Sequence, residues 1–165
     1  MADSPPPVVD RARGLFLREE NSYGCAETAL IALQEEFGLP DPTDSSPAMA
    51  LNGGVAYSGG VCGAITGVGL AVGRLAESRI DDHREAKTAA RRILQRLMVE
   101  FEQEFSATDC RDLTGYDLLR DHDAFIEDGA WRTACMRQIE FAVERLAGLA
   151  EAGEWQAELE RQAAE

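Results

Sequence analysis

The sequence predicts an all-α protein, a single-domain bundle of about five to seven helices. Apolar residues recur at helical spacing, as in Ile93, Leu97 and Phe101, and would form one stripe facing a core. No segment alternates apolar and polar residues over the length of a strand. With 165 residues, of which 45% are hydrophobic, the chain is long enough to bury one sizeable core.

The first two helices are predicted near the N-terminus. Residues 1–7 contain three consecutive prolines and are predicted to be a disordered tail, and a short helix follows over 8–20. Ser22 is a suitable N-cap for the second helix and would place Cys25 inside its first turn. The turn-forming residues of the segment 38–40 end that helix.

Glycine and proline delimit the next two helices. Pro47 can occupy the first position of a short third helix over 47–52, and the segment 52–60 holds four glycines and is irregular. A fourth helix is predicted over 61–77. It contains two pairs of glycines spaced by four, which would leave a shallow face for close packing: Gly63, Gly67, Gly69 and Gly73.

Two long helices are predicted in the C-terminal half. The acidic pair 81–82 caps the longest, which runs to about residue 106, and the last core helix covers 129–149. Between them, 108–115 reads as a single capped turn, and the chain up to residue 128 reads as a loop. Residues 151–165 are predicted to be a polar helical tail.

Charge and hydropathy exclude several classes of protein. The net charge of −14 leaves no basic excess to neutralise phosphates, which argues against nucleic-acid binding. The longest apolar run, 61–73, is shorter than the ~20 residues of a membrane span, and the N-terminus lacks a signal-peptide pattern. The sequence therefore predicts a soluble cytoplasmic protein. In that compartment, cysteines more often bind metals or catalyse reactions than form permanent disulfides.

Cys62 stands out because it lies between Gly60 and Gly63 at a predicted helix start. Glycine lets other groups approach the backbone closely, and the partial positive charge of a helix N-terminus favours a thiolate. Gly60 and Gly63 are candidates to contact a cofactor through their backbone. Tyr57, just upstream, is a candidate to line the pocket.

The helical domain predicted over 8–150 contains four cysteines, and no two of them form a C-x-x-C pair. Cys25, Cys62 and Cys110 each lie at a predicted helix start or capped turn. Cys135 lies on a core-facing stripe, so all four could converge. The alternative is that they pack as small buried hydrophobic residues.

One arginine and two histidines are the remaining candidates for a role in the chemistry. Arg111 follows Cys110 directly and is a candidate to contact a cofactor and to lower the pKa of that thiol. The two histidines, His83 and His122, lie in charged segments and are interpreted as surface residues.

The cysteine order resembles a known family. Cys62 to Gly67 reads C-G-A-x-x-G; the run Gly24-Cys25-Ala26-Glu27 lies upstream, and Cys110 and Cys135 lie downstream. This arrangement is similar to the family of small redox-active proteins named for its C-GCAxxG-C-C pattern, over residues 21–146. The resemblance implies a shared role for the four cysteines.

Three functions remain open at this point. The first is a redox protein whose cysteines ligate one cofactor, an iron–sulfur cluster or another thiolate-bound metal, for electron transfer with a partner protein. The second is a cofactor-free dithiol/disulfide oxidoreductase with catalytic cysteines. The third is a helical binding protein whose cysteines are structural or hold a structural zinc. The glycine ridges are also compatible with a homodimer.

Overall fold

A computed structural model describes residues 4–20 and 22–151, and within them the all-α prediction is confirmed. The expectations for residues 1–3 and for most of the tail, 152–165, lie outside the described residues. None of the described helices is long and apolar enough to cross a bilayer. The described part of the chain contains seven α-helices: α1 (Pro7–Phe16), α2 (Cys25–Glu36), α3 (Gly63–Arg79), α4 (His83–Phe105), α5 (Cys110–Thr114), α6 (His122–Glu127) and α7 (Met136–Glu151).

The four long helices α2, α3, α4 and α7 enclose one core, and α1 packs against α2 and α7. Their inward-facing residues recur at helical spacing and bury large aliphatic side chains, which is the main favourable contribution to folding. The largest fully buried apolar side chains include Leu30, Ile65, Leu75, Ile93, Leu97, Phe101, Ile139 and Leu146.

Glycine in α3 brings the backbones of α2 and α3 together. A Cβ added at Gly67 would lie 2.4 Å from the carbonyl oxygen of Ala26 and 2.9 Å from Cβ of Ala29. The predicted close-packing face therefore exists at Gly67. At the far end of the same helix, Gly73 has open space where its Cβ would be. The close approach leaves the N-termini of α2 and α3 side by side.

Several predicted boundaries are wrong for local reasons. Helix α2 begins at Cys25 because Gly24 is its N-cap, and the backbone N–H of Gly24 donates to the Oε1 of Glu27. Ser22 is therefore not the cap. The helix expected over 47–52 is only a 3-10 turn, Ser46–Ala48. The first helix ends at Phe16 rather than at residue 20.

Two further differences lie in the C-terminal half. The loop expected up to residue 128 contains the short helix α6, which buries Phe125. The helix expected over 129–149 begins instead as a π-turn, Trp131–Cys135, before α7. Turns of this kind are uncommon and occur frequently at functional sites.

We expect Gly67→Ala to lower the free energy of unfolding by about 1–3 kcal/mol, because the new methyl group overpacks the α2–α3 contact. Gly73→Ala is the matched control, in the same helix and with open space around its Cβ. It should raise the free energy by about 0.5–1 kcal/mol through helix propensity. Urea denaturation followed by circular dichroism measures both, and equal effects would contradict the packing argument.

Candidate functional site

The sulfur of Cys25 occupies the space in front of Gly63. A Cβ added at Gly63 would lie 2.2 Å from the Cys25 Sγ and 3.0 Å from the backbone nitrogen of Ala26. Only glycine leaves room for the sulfur at this position. Since Gly63 directly follows Cys62, the N-cap of α3, the close helix packing brings Cys25 next to Cys62. Glycine at position 63 was expected to allow another group to approach the backbone, and in the structure that group is the sulfur of Cys25.

A short backbone pairing places Cys110 beside Cys62. Val61 and Asp109 form an isolated antiparallel bridge. The backbone N–H of Cys62 donates to the carbonyl of Thr108 at 2.8 Å, and that of Cys110 donates to the carbonyl of Gly60 at 2.7 Å. The carbonyl oxygen of Gly60 therefore helps to hold the backbone of Cys110 in place.

Cys135 reaches the same group from the π-turn that precedes α7. One helical turn later, the buried side chain of Gln138 places its Oε1 3.8 Å from the Cys62 Sγ. Cys135 lines one cavity together with Cys25 and Cys110, and Cys62 adjoins this group through Gly63 and through its backbone pairing with the segment before Cys110. The structure therefore brings together four cysteines that are distant in sequence.

A cavity of about 680 Å³ opens beside the cysteines. Cys25, Cys110 and Cys135 line it, whereas Cys62 is only 4% exposed and is not part of the wall. The remaining wall is largely aromatic and apolar. It includes Phe16, Tyr23, Met49, Tyr57, Leu118, Phe125, Ile126 and Trp131, with Glu27, His122 and Arg132 among its polar members.

Of the residues predicted to line a pocket, Tyr57 does so and Arg111 does not. Tyr57 lines the cavity, with its ring centroid 5.3 Å from that of His122. His122, interpreted from the sequence as a surface residue, also lines the cavity, because α6 carries it there. Arg111 is not part of the cavity wall; its guanidinium forms an ion pair with Asp117 at 3.2 Å on the surface.

The predicted activation of the thiols is wrong for the cofactor-free protein, because their pKa values are raised. Burial is the largest cause of the increase in the pKa of Cys62, and the charge of Cys25 comes next. Burial likewise raises the pKa of Cys110 to about 11, and it raises the pKa of Cys135 further. Desolvation disfavours the charged thiolate and here outweighs the helix N-termini.

At Cys25, backbone amides partly offset the increase in the thiol pKa that burial causes. Burial raises the pKa of Cys25, whereas backbone hydrogen bonds from Gly53, Ala26, Cys25 itself and Gly63 lower it. These N–H groups come from three separate segments of the chain. These nearby N–H groups would favour a negative sulfur at Cys25, although that of Ala26 already donates to the Oδ1 of Asn52.

Sequence reasoning missed the polar network that holds this end of α2. The Asn52 Oδ1 accepts the N–H of Ala26 at 3.0 Å and lies 3.9 Å from the Cys25 Sγ. The Asn52 Nδ2 donates to the Oε1 of Glu27 at 3.0 Å, and the Ser45 hydroxyl donates to Oε2 at 2.8 Å. The capping-box spacing from Gly24 to Glu27 was the signal that could have revealed part of it.

The segment 53–57 is a left-handed turn with positive φ at every residue. Three of these residues, Val55, Ala56 and Tyr57, are not glycine. Each costs roughly 1–2 kcal/mol in this conformation. Such strain persists only where surrounding contacts impose it, and it clusters at functional sites. Here the turn brings the Gly53 amide to Cys25 and Tyr57 to the cavity.

Within residues 4–20 and 22–151, no group of three or more His, Cys, Asp or Glu side chains is arranged to hold a metal ion. All four cysteines are free thiols. Three of these thiols line the cavity, and the fourth, Cys62, adjoins them.

The raised pKa of Cys110 predicts a loss of stability at high pH. The folded protein keeps a proton that the unfolded chain loses near pH 9, so the free energy of unfolding falls as pH rises from about 9 to 11. Cys110→Ser should remove about 1–2 kcal/mol of this decline. Urea denaturation of the reduced, cofactor-free protein at several pH values measures it. Parallel curves for the two proteins would contradict the assignment.

Gly63→Ala should displace the Cys25 sulfur, because the new methyl group occupies its position. We expect Cys25 to turn toward the cavity and to be alkylated several-fold faster in the native protein, as measured by peptide mapping. Gly73→Ala, in the same helix and without neighbours, is the control. An unchanged rate at Cys25 would show that the contact with Gly63 does not hold the sulfur.

Comparison with known proteins adds one match. A family model, C_GCAxxG_C_C, described as "Putative redox-active protein", matches residues 23–149. No curated protein and no solved structure matches the chain. The matched range contains all four cysteines, Cys25, Cys62, Cys110 and Cys135, and covers well over half of the sequence. The chain therefore belongs to the C_GCAxxG_C_C family.

Proposed function

We propose that this chain is a cytoplasmic electron-transfer protein whose four cysteines ligate one iron–sulfur cluster at the cavity floor. The observation that carries the proposal is that three of the four free thiols line one cavity and that Cys62 adjoins them through Gly63, which contacts the Cys25 sulfur. Four cysteines are the usual protein ligands of [2Fe–2S] and [4Fe–4S] clusters. Free thiols persist in the reducing cytoplasm.

The charges of the site support a cationic cofactor. Burial and mutual repulsion raise the pKa values of Cys62, Cys110 and Cys135, so four bare thiolates cannot coexist here at neutral pH. Metal coordination deprotonates a thiol outright and compensates the negative charge. The amides around Cys25 would then donate to a ligand sulfur, a contact that tunes the reduction potential of such clusters.

A cluster suits this arrangement better than a single zinc ion. Zinc requires four sulfurs about 2.3 Å from one point, and no such group exists among the described residues. In a cluster, inorganic sulfide bridges separate irons, and each cysteine ligates only one of them. More widely spaced sulfurs can therefore serve as ligands of a cluster.

Dithiol chemistry is the second candidate, because the four free thiols are neighbours and three are reached from one cavity. An oxidant would convert two thiols to a disulfide, with release of two protons and two electrons. The raised thiol pKa values oppose this function, since the thiolate is the nucleophile.

Anaerobic reconstitution with iron and sulfide tests the main proposal. We expect a coloured protein that contains both elements and is reversibly bleached by reduction. Serine in place of any one of the four cysteines should lower the iron content at least severalfold. Arg111→Ala is the control, since Arg111 follows Cys110 but lies outside the cavity wall. It should retain full iron content.

A colourless protein without iron or sulfide after this treatment would contradict the proposal. Mass spectrometry after oxidation by oxidised glutathione and alkylation then tests the second candidate. Loss of two or four alkylatable thiols, reversed by reductant, would favour dithiol chemistry. Four alkylatable thiols throughout would exclude it.

A further inference from the structure

Exposed apolar side chains concentrate around the cysteine cavity. Seven large hydrophobic residues among the described part of the chain are prominently exposed, including Leu119 at 68% and Met49 at 64%. Six of the seven lie in or beside the segments that line the cavity; the seventh, Val99, lies on α4. We call the six the apolar rim: Leu17, Met49, Val55, Tyr57, Leu119 and Ile126.

The rim is assembled from four separate segments. Met49, Tyr57 and Ile126 line the cavity directly. Leu17 and Leu119 each follow a residue that lines it, Phe16 and Leu118 respectively, and Val55 belongs to the same strained turn as Tyr57. Single exposed apolar residues are normal on a protein, but a concentration around one opening marks an interaction site.

Backbone strain supports a function for this surface. Val55 is β-branched, has φ +67°, and yet is 44% exposed. A left-handed valine is unfavourable, and burial of its side chain does not compensate. The turn instead presents Val55 and Tyr57 to the outside.

The charge beside the rim is acidic. The segment 117–128, which carries Leu119 and Ile126, contains five carboxylates and one arginine, within a chain of net charge −14. Asp123 and Glu127 on α6 are exposed. An acidic surface of this kind accelerates the approach of a basic partner and repels an acidic one.

We infer that the apolar rim is the docking surface for a redox partner protein whose contact face is apolar and surrounded by lysine and arginine. The inference rests on the proposed electron-transfer function and names the partner's chemistry. Cys62 and Cys110 are only 4% and 7% exposed, and the cavity is lined by Cys25, Cys110 and Cys135. One electron passes from the reduced site to a one-electron cofactor of the partner, and no bond is formed.

The probe is a basic cytochrome c, whose haem edge is surrounded by lysines, together with the same cytochrome after succinylation of those lysines. Stopped-flow spectroscopy follows its reduction by the reconstituted, reduced protein. At low ionic strength, we expect native cytochrome c to react at least about tenfold faster than the succinylated form. High salt should remove most of this difference.

Matched variants locate the surface. Leu119→Ser and the double variant Asp123→Lys, Glu127→Lys should each slow the reaction with native cytochrome c about tenfold or more. The controls on α4 are Val99→Ser and Glu102→Lys with Glu104→Lys, which make the same chemical changes on exposed residues elsewhere. They should leave the rate within about twofold. Equal effects of rim and α4 variants would overturn the inference.

A neutral benzoquinone is a small electron acceptor that needs no docking surface, so its reaction tests electron transfer without testing protein docking. It should oxidise all reduced variants at one rate, which shows that the redox site is intact. A Leu119→Ser variant that slows only the quinone reaction would make the rim the mouth of a small-molecule site and overturn protein docking.

A binding measurement without electron transfer completes the test. In ¹H–¹⁵N spectra of the cofactor-free protein, cytochrome c should shift signals of rim residues and leave those around Val99 unchanged. These shifts without any electron transfer would sustain the docking surface while the proposed function fails. Their absence, or uniform shifts over both faces, would overturn the docking surface.

Discussion

The close approach of α2 and α3 is the constraint on which the rest of the structure depends. Gly67 lets the two backbones come close, and Gly63 leaves the space that the Cys25 sulfur fills. The two helix N-termini therefore meet, and with them Cys25 and Cys62. Gly60 lies just before α3, so the packing of α3 against α2 also fixes its position. Cys110 is then held beside the site by its hydrogen bond to the Gly60 carbonyl.

When several thiols are buried close together, ionisation of any one of them becomes unfavourable. Each sulfur raises the cost of ionising its neighbours, and desolvation adds to that cost. Four neighbouring cysteines therefore add little to the stability of the fold that other small apolar residues would not provide. The amides at Cys25 and the strained turn at 53–57 add further features that the core does not need, which is the pattern expected where function and stability compete.

Much of the fold could be predicted because its signals are local. The stripe through Ile93, Leu97 and Phe101 predicted α4, and Asp82 does cap it through the Glu85 amide. The short helix at Cys110 was predicted from Gly115, which does end it in a left-handed conformation, whereas the side chain of Asp109 makes no capping hydrogen bond. The start of α2 was missed because Gly24 has no capping side chain. Its N–H is satisfied by Glu27, whose carboxylate is held by Asn52 from a distant loop.

The sequence by itself determined the all-α class, the positions of three cysteines at helix starts and the need for glycine beside Cys62. Periodicity and capping depend on neighbours within a few residues, so they can be read from the chain. Only the tertiary structure decided that Cys135 joins the group through a π-turn and that Arg111 turns away to Asp117. It also decided that the thiols have raised pKa values, because desolvation is a property of the packed interior and has no local signal in the sequence.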